Sequence, residues 1–210
     1  MLHKDPFIIA PLTYQLLEEL QAIPEFKNFV LVGGTSLALQ MGHRNSIDID
    51  LFCLNEFDTE TVLNVLSIRY NVKEVYSRKN TLISLVNNIK TDFIRHDYPY
   101  ILPPITEEGI TYLSKQDISA MKLHAIVQSG KRLKDFIDIY FLLEHFCVNE
   151  MVQFYVEKYS YSNPMIALKA LGYFEDIDEA IDPPKLVKPL PLPLIKKRIL
   201  AGIKNPFKRF

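Results

Sequence analysis

Asp48 and Asp50, two residues apart in Ile47-Asp48-Ile49-Asp50-Leu51-Phe52, are the residues of this sequence best suited to chemistry. On a strand, positions i and i+2 share a face, so both carboxylates would point the same way. Paired carboxylates suit Mg²⁺, which prefers oxygen ligands and keeps waters that substrate phosphates can replace. Upstream, Gly33-Gly34-Thr35-Ser36 opens a predicted helix, and a helix N-terminus is a natural phosphate site. A glycine-rich turn, a short helix and an Asp-x-Asp strand together predict transfer of a nucleotide from an NTP. That chemistry must neutralise the phosphates, hold the acceptor hydroxyl in line and lower its pKa, and two Mg²⁺ ions can do all three.

A third carboxylate is needed from a neighbouring strand. Asp92, central in Ile89-Lys90-Thr91-Asp92-Phe93-Ile94, is preferred over Asp97, which falls in an apparent turn before Tyr98-Pro99, because a strand holds geometry better than a loop. The expected metal ligands are thus Asp48, Asp50 and Asp92, with the NTP at Gly33, Gly34, Thr35 and Ser36. Arg44 is placed to reach the triphosphate or to pair with Asp48. Lys122 lies in an otherwise apolar helix, Met121-Lys122-Leu123-His124-Ala125, where its ammonium could neutralise a β or γ phosphate; the rival reading is a lysine snorkelling to water. Asp135 either orients Lys122 or the nucleotide, or pairs with Arg132 on the helix surface, while Lys134 and Asp138 read as an exposed i,i+4 pair. His43, His96 and His124 are expected to be structural or peripheral.

These residues need a scaffold. Pro11 to Ala22 carries Leu12, Leu16, Leu17 and Leu20 at helical spacing, Phe29 to Val32 reads as a buried strand, Thr35 to Met41 as a brief helix stopped by Gly42, and Ile47 to Leu54 as a strand with Ile47, Ile49 and Leu51 inward. Thr59 to Tyr70 is helical. Three β-prone runs follow, Asn71 to Tyr76, Thr81 to Val86 and Ile89 to Ile94, with a turn at Asn87-Asn88. From Lys115 onward the periodicity is helical. The mixed first half and all-helical second half predict an α+β protein, divided as a catalytic domain 1–113, a helical region 114–182 that completes the cleft, and a Pro-rich linker with a basic helix, 183–210.

The 210 residues, 48% of them hydrophobic, are enough for a sizeable core. No stretch of about 18 uncharged apolar residues and no secretion signal is present, so a cytoplasmic protein without a membrane segment is expected. Cys53 and Cys147 lack the paired spacing of a zinc site and read as buried thiols. Charge is uneven: residues 144–182 hold eight acids against two lysines, whereas 183–210 hold eight Lys or Arg and no acid. The basic tail is therefore expected to dock an apolar stripe of Ile195, Ile199, Leu200 and Ile203 while presenting Lys196, Lys197 and Lys204 outward.

The segment from Val32 to Phe52 resembles the signature of the DNA polymerase β-like nucleotidyltransferase superfamily. Its wording, GGTSLAL and GHRNSIDIDLF, with the later KLHAIV and KRLKDFIDIYFLLE, closely resembles the AbiEii/AbiGii toxin family of abortive-infection and toxin–antitoxin systems over about residues 28 to 146. The resemblance implies a polymerase β-like nucleotidyltransferase core with a helical C-terminal region, an RNA acceptor such as the tRNA 3′ end, and a possible cognate antitoxin. It also implies phosphate contacts from Gly34, Thr35 and Ser36, metal ligation by Asp48 and Asp50, and polar motif roles for Lys122 and Asp135. The expected activity is Mg²⁺-dependent nucleotidyl transfer to RNA; transfer to a small molecule or protein, and a catalytically silent nucleotide- or partner-binding module, are the alternatives. The Pro-rich basic tail has no counterpart in the family's pattern.

Overall fold

The computed structural model describes residues 1–181 and 183–210, so the domain limit expected at Asp182 lies outside the described residues. Two compact units are present: Met1–Pro99 with Pro104–Leu113, and Tyr100–Pro103 with Ser114–Phe210.

The first unit is built on a seven-stranded mixed sheet. Its strands are β1 (Val30–Leu31), β2 (Ile49–Cys53), β3 (Val72–Arg78), β4 (Thr81–Val86), β5 (Ile89–Arg95), β6 (Ile105–Glu107) and β7 (Ile110–Tyr112), in the order β3-β4-β5-β2-β1-β7-β6. β2 runs parallel to β5, and β1 to β7; the remaining neighbours are antiparallel. The β6–β7 hairpin has no counterpart in the sequence reading, since strands of three residues are too short to show periodicity. Asn87 and Asn88, at φ 50° and 66°, make the tight turn between β4 and β5.

Alternation gives the sheet an apolar face. Ile49, Leu51, Leu82, Val86 and Phe93 are fully buried there, and Phe93 packs against Phe26 and Phe29 at ring separations of 5.0 and 5.1 Å. Helix α1 (Pro11–Gln21) contributes Leu16, Leu17 and Leu20 to this core. Leu12, expected on the buried stripe, is exposed, and Thr13 and Tyr14 are buried instead: four leucines do not by themselves define where the stripe is centred. Ile47 is likewise exposed because β2 begins only at Ile49.

Helix α2 spans Gly33–Met41, two residues earlier than its sequence suggests, and ends at Gly42 with φ 62°, the left-handed stop. Helix α3 (Thr59–Arg69) is capped by Asp58, whose side chain accepts from the Thr61 N–H.

The second unit contains α4 (Lys115–Gln128), α5 (Leu133–Leu142), α6 (Val148–Lys158), α7 (Pro164–Leu171) and α8 (Leu192–Lys204). Helix α8 buries Ile195, Ile199 and Gly202, and Arg198 donates to the Tyr140 carbonyl and the Glu144 carboxylate at 3.0 and 2.9 Å. Leu200, expected in the docked stripe, is exposed, and Lys196 turns over the Phe174 ring rather than fully outward; Lys197 and Lys204 are exposed. Both cysteines are free and buried.

Candidate active site

Strand β1 hands the chain directly to α2. The Val32 N–H donates to the Asp50 carbonyl at 2.9 Å, extending the β1–β2 ladder to the first turn of the helix. Gly33 then adopts φ +69°, a conformation L side chains disfavour. A Cβ there would sit 3.1 Å from Asp50 Cγ and closer still to its Oδ2. Glycine is therefore required twice, for the turn and for the approach of Asp50 to the helix N-terminus, where a carboxylate is favoured by the helix dipole. Gly34 serves a second close approach, since a Cβ on it would collide with the buried Arg44 guanidinium. Arg44 Nη1 also donates to the Asn45 carbonyl at 2.8 Å.

Thr35 and Ser36 are buried with their hydroxyls engaged. Thr35 Oγ1 donates to the Asp48 carbonyl and is within 2.8 Å of Ser46 Oγ; Ser36 Oγ accepts from Gln40 Nε2 at 3.0 Å. Thr35 thus ties α2 to Asp48, which lies just ahead of β2 rather than within it. The first backbone N–H groups of α2 have no acceptor within the helix, as at any helix start.

The parallel ladder between β2 and β5 places Asp50 directly beside Asp92, about 4.8 Å apart along the hydrogen-bonding direction. Asp92 is 6% exposed; Oδ2 accepts from Lys90 Nζ at 2.8 Å, while Oδ1 is buried with no hydrogen-bond partner. Burial pulls the Lys90 ammonium towards neutrality. The Asp92 hydrogen bond and the charges of Asp92, Asp50 and Asp48 outweigh it, so its pKa is raised. Asp97 is solvent-exposed and pairs with Arg95 at 2.6 Å. Among the described residues no group of three or more His, Cys, Asp or Glu side chains is gathered where it could hold a metal ion. Asp50 and Asp92 nevertheless supply the all-oxygen donor chemistry Mg²⁺ prefers, and the buried Asp92 Oδ1, without a hydrogen-bond partner, is an oxygen that a cation could satisfy.

In the second unit Lys122 on α4 bridges two carboxylates of α5, Asp135 Oδ1 and Asp138 Oδ2, each at 2.8 Å. Lys134 and Asp138, expected as a pair on an exposed helix surface, are instead both buried, and Asp138, with no exposure, meets Lys122. The i,i+4 spacing indicates a shared helix side but not whether that side faces water. A second buried pair, missed in the sequence, joins Lys158 to Asp117 at 2.9 Å; Asp117 also accepts from the Ile101 and Leu102 N–H groups. His124 stacks on Tyr159, ring centroids 4.2 Å apart, and burial lowers its pKa. His43 is also buried.

The family model described as "Nucleotidyl transferase AbiEii toxin, Type IV TA system" matches residues 15–67 and 64–190. The chain belongs to this family. The toxin is also 34% identical over 173 residues to an uncharacterized protein of Aquifex aeolicus (strain VF5), covering 80% of this chain and 84% of that protein. Its fold is that of MenT4, a nucleotidyltransferase toxin from Mycobacterium tuberculosis H37Rv, with TM-score 0.61, 16% identity and coverage of 92% of this chain and 82% of the other. JHP933 from Helicobacter pylori shares it too, with TM-score 0.58, 16% identity and coverage of 93% and 89%. The toxin is a nucleotidyltransferase of a type IV toxin–antitoxin system, with an NTP as substrate and a cognate antitoxin implied by the family. No helix among its described residues is long and apolar enough to cross a membrane.

Proposed function

We propose that the toxin transfers a nucleoside monophosphate from an NTP to an RNA hydroxyl, such as the tRNA 3′ end, in a Mg²⁺-dependent reaction. The acceptor hydroxyl gives up its proton to solvent as its oxygen bonds to the α-phosphorus, the bond from that phosphorus to the bridging oxygen breaks, and pyrophosphate leaves. The observation that supports this reading is the juxtaposition of Asp50 with Asp92 in ladder register and with the Gly33 turn of α2.

Asp48, Asp50 and Asp92 are the carboxylates that would hold metal. Mg²⁺, when bound, would supply charge neutralisation on the phosphates and acidify the acceptor hydroxyl. Gly33 and Gly34 offer backbone N–H groups to the phosphates. Thr35 and Ser36 contribute to the same turn from within, Thr35 by holding the Asp48 backbone. Arg44 brings a guanidinium against that turn. Lys122, held by Asp135 and Asp138, is the residue of the helical unit that the family resemblance nominates for NTP use. The exposed Lys197 and Lys204 of α8 are assigned to the RNA backbone, where such contacts position rather than specify.

The test is incubation of the purified protein with each labelled NTP, Mg²⁺ and total bacterial RNA. Label in a discrete RNA band, abolished by chelation, is the expected result. Label confined to small molecules or to protein would overturn the RNA acceptor, and transfer unaffected by chelation would overturn the metal.

A further inference from the structure

Lys90 has no place in the sequence pattern of the site, yet it binds one of the site's carboxylates. It shares a face of β5 with Asp92, two residues on, and its Nζ meets Asp92 Oδ2 at 2.8 Å. The Lys90 side chain is 44% exposed while that of Asp92 is only 9% exposed, so the ammonium sits on the solvent side of a nearly buried carboxylate. The ladder pairs Ile49 with Thr91 and Asp50 with Asp92. Asp48 lies just ahead of β2, within electrostatic reach of the Lys90 ammonium. The ammonium that binds Asp92 thus also feels the charges of Asp50 and Asp48, and its positive charge offsets repulsion among the three acids.

We propose that Lys90 is a built-in counter-ion of the carboxylate site, filling the role of a cation in the resting toxin and opposing divalent-ion binding until nucleotide arrives. The inference rests on the reading that Asp48, Asp50 and Asp92 hold metal. A divalent ion drawn to Asp92 Oδ1 meets a positive charge already bound across the same carboxylate. Even with the screening of bulk water, repulsion between a unit and a divalent charge about 4–5 Å apart lowers metal affinity by at least about tenfold. The phosphates of an NTP add negative charge that offsets Lys90, so metal and nucleotide load together. Free toxin holds little divalent ion.

The experiment is a Mn²⁺ titration followed by electron paramagnetic resonance of the unbound ion. It compares the unsubstituted protein with Lys90→Gln, Lys90→Met and Lys90→Arg, each with and without non-hydrolysable NTPs tried in turn. Without nucleotide, Lys90→Gln and Lys90→Met are expected to bind Mn²⁺ at least about tenfold tighter, Lys90→Arg to behave as the unsubstituted protein, and the differences to shrink when nucleotide is present. Tight Mn²⁺ binding that is unchanged or weakened in Lys90→Gln and Lys90→Met would overturn the counter-ion role and leave Lys90 as a holder of Asp92. Absence of Mn²⁺ binding in every form, even with nucleotide, would instead overturn the metal assignment, and the counter-ion role with it. Melting curves of the variants establish folding, which the exposure of the Lys90 side chain favours.

Discussion

Replacing Gly33 by alanine isolates the contact between the α2 turn and Asp50. The backbone is at φ +69°, and the new methyl would overlap Asp50 Oδ2 and lie 3.1 Å from its Cγ. The left-handed conformation costs a non-glycine residue about 1–2 kcal/mol. In a chain of this size that lowers the melting temperature by roughly 2–8 °C. The overlap itself is relieved cheaply, because a carboxylate can swing away. That swing is what matters for chemistry: a displacement of about 1 Å in a reacting group can cost a hundredfold in rate. Gly33→Ala is therefore expected to lose about a hundredfold in nucleotidyl transfer while remaining folded. Because the effect runs through Asp50, adding Gly33→Ala to an Asp50→Ala background should change transfer no further, although the thermal cost persists. Label incorporation into RNA and thermal melting of the single and double variants measure both quantities. Transfer by Gly33→Ala within about threefold of the unsubstituted protein, with the melting shift present, would refute the claim that this glycine serves Asp50.

Asp92→Ala should lose at least about a hundredfold in transfer, whereas Asp97→Ala, at an exposed pair with Arg95, should retain activity; the reverse pattern would reassign the third carboxylate. Lys122→Met strands Asp135 and Asp138 without their shared cation and should lower stability by about 3–5 kcal/mol, with impaired NTP use; a denaturant midpoint equal to that of the unsubstituted protein would contradict the buried bridge. Burial lowers the His124 pKa below its ordinary 6.5, so on acidification through that value the unfolded chain takes up a proton that the folded imidazole resists. Stability should therefore fall with decreasing pH, and His124→Phe should flatten the melting temperature between pH 7.5 and 5.5; identical slopes would exclude His124 as a source. Removal of residues 183–210 would delete the buried Ile195 and Ile199, so the role of the tail is better tested by Lys197→Glu with Lys204→Glu. That variant should weaken RNA binding and flatten its salt dependence, and unchanged affinity with an unchanged salt slope would leave α8 purely structural.

Local repetition made part of this protein legible. Alternation in Ile49-Asp50-Leu51 identified a strand with its carboxylate on the less apolar face, Gly42 marked the end of α2, and Asn87-Asn88 marked a hairpin, because each depends on backbone preferences spanning a few residues. Asp92 could be nominated on the same grounds. Its position beside Asp50, by contrast, follows from the parallel pairing of β2 with β5, two segments about forty residues apart, and no local pattern encodes that register. Charged side chains were the least legible. Lys90, Asp138, Lys158 and Asp117 each look like ordinary solvated residues in sequence, since an isolated charge belongs in water. Only tertiary packing brings Asp117 to Lys158 and Asp138 to Lys122, and only that partnership makes burial of these charges tolerable. The sequence by itself thus determined the chemical groups and the elements that carry them. Tertiary structure decided which charges meet, because pairing energies depend on distances that chain spacing does not specify.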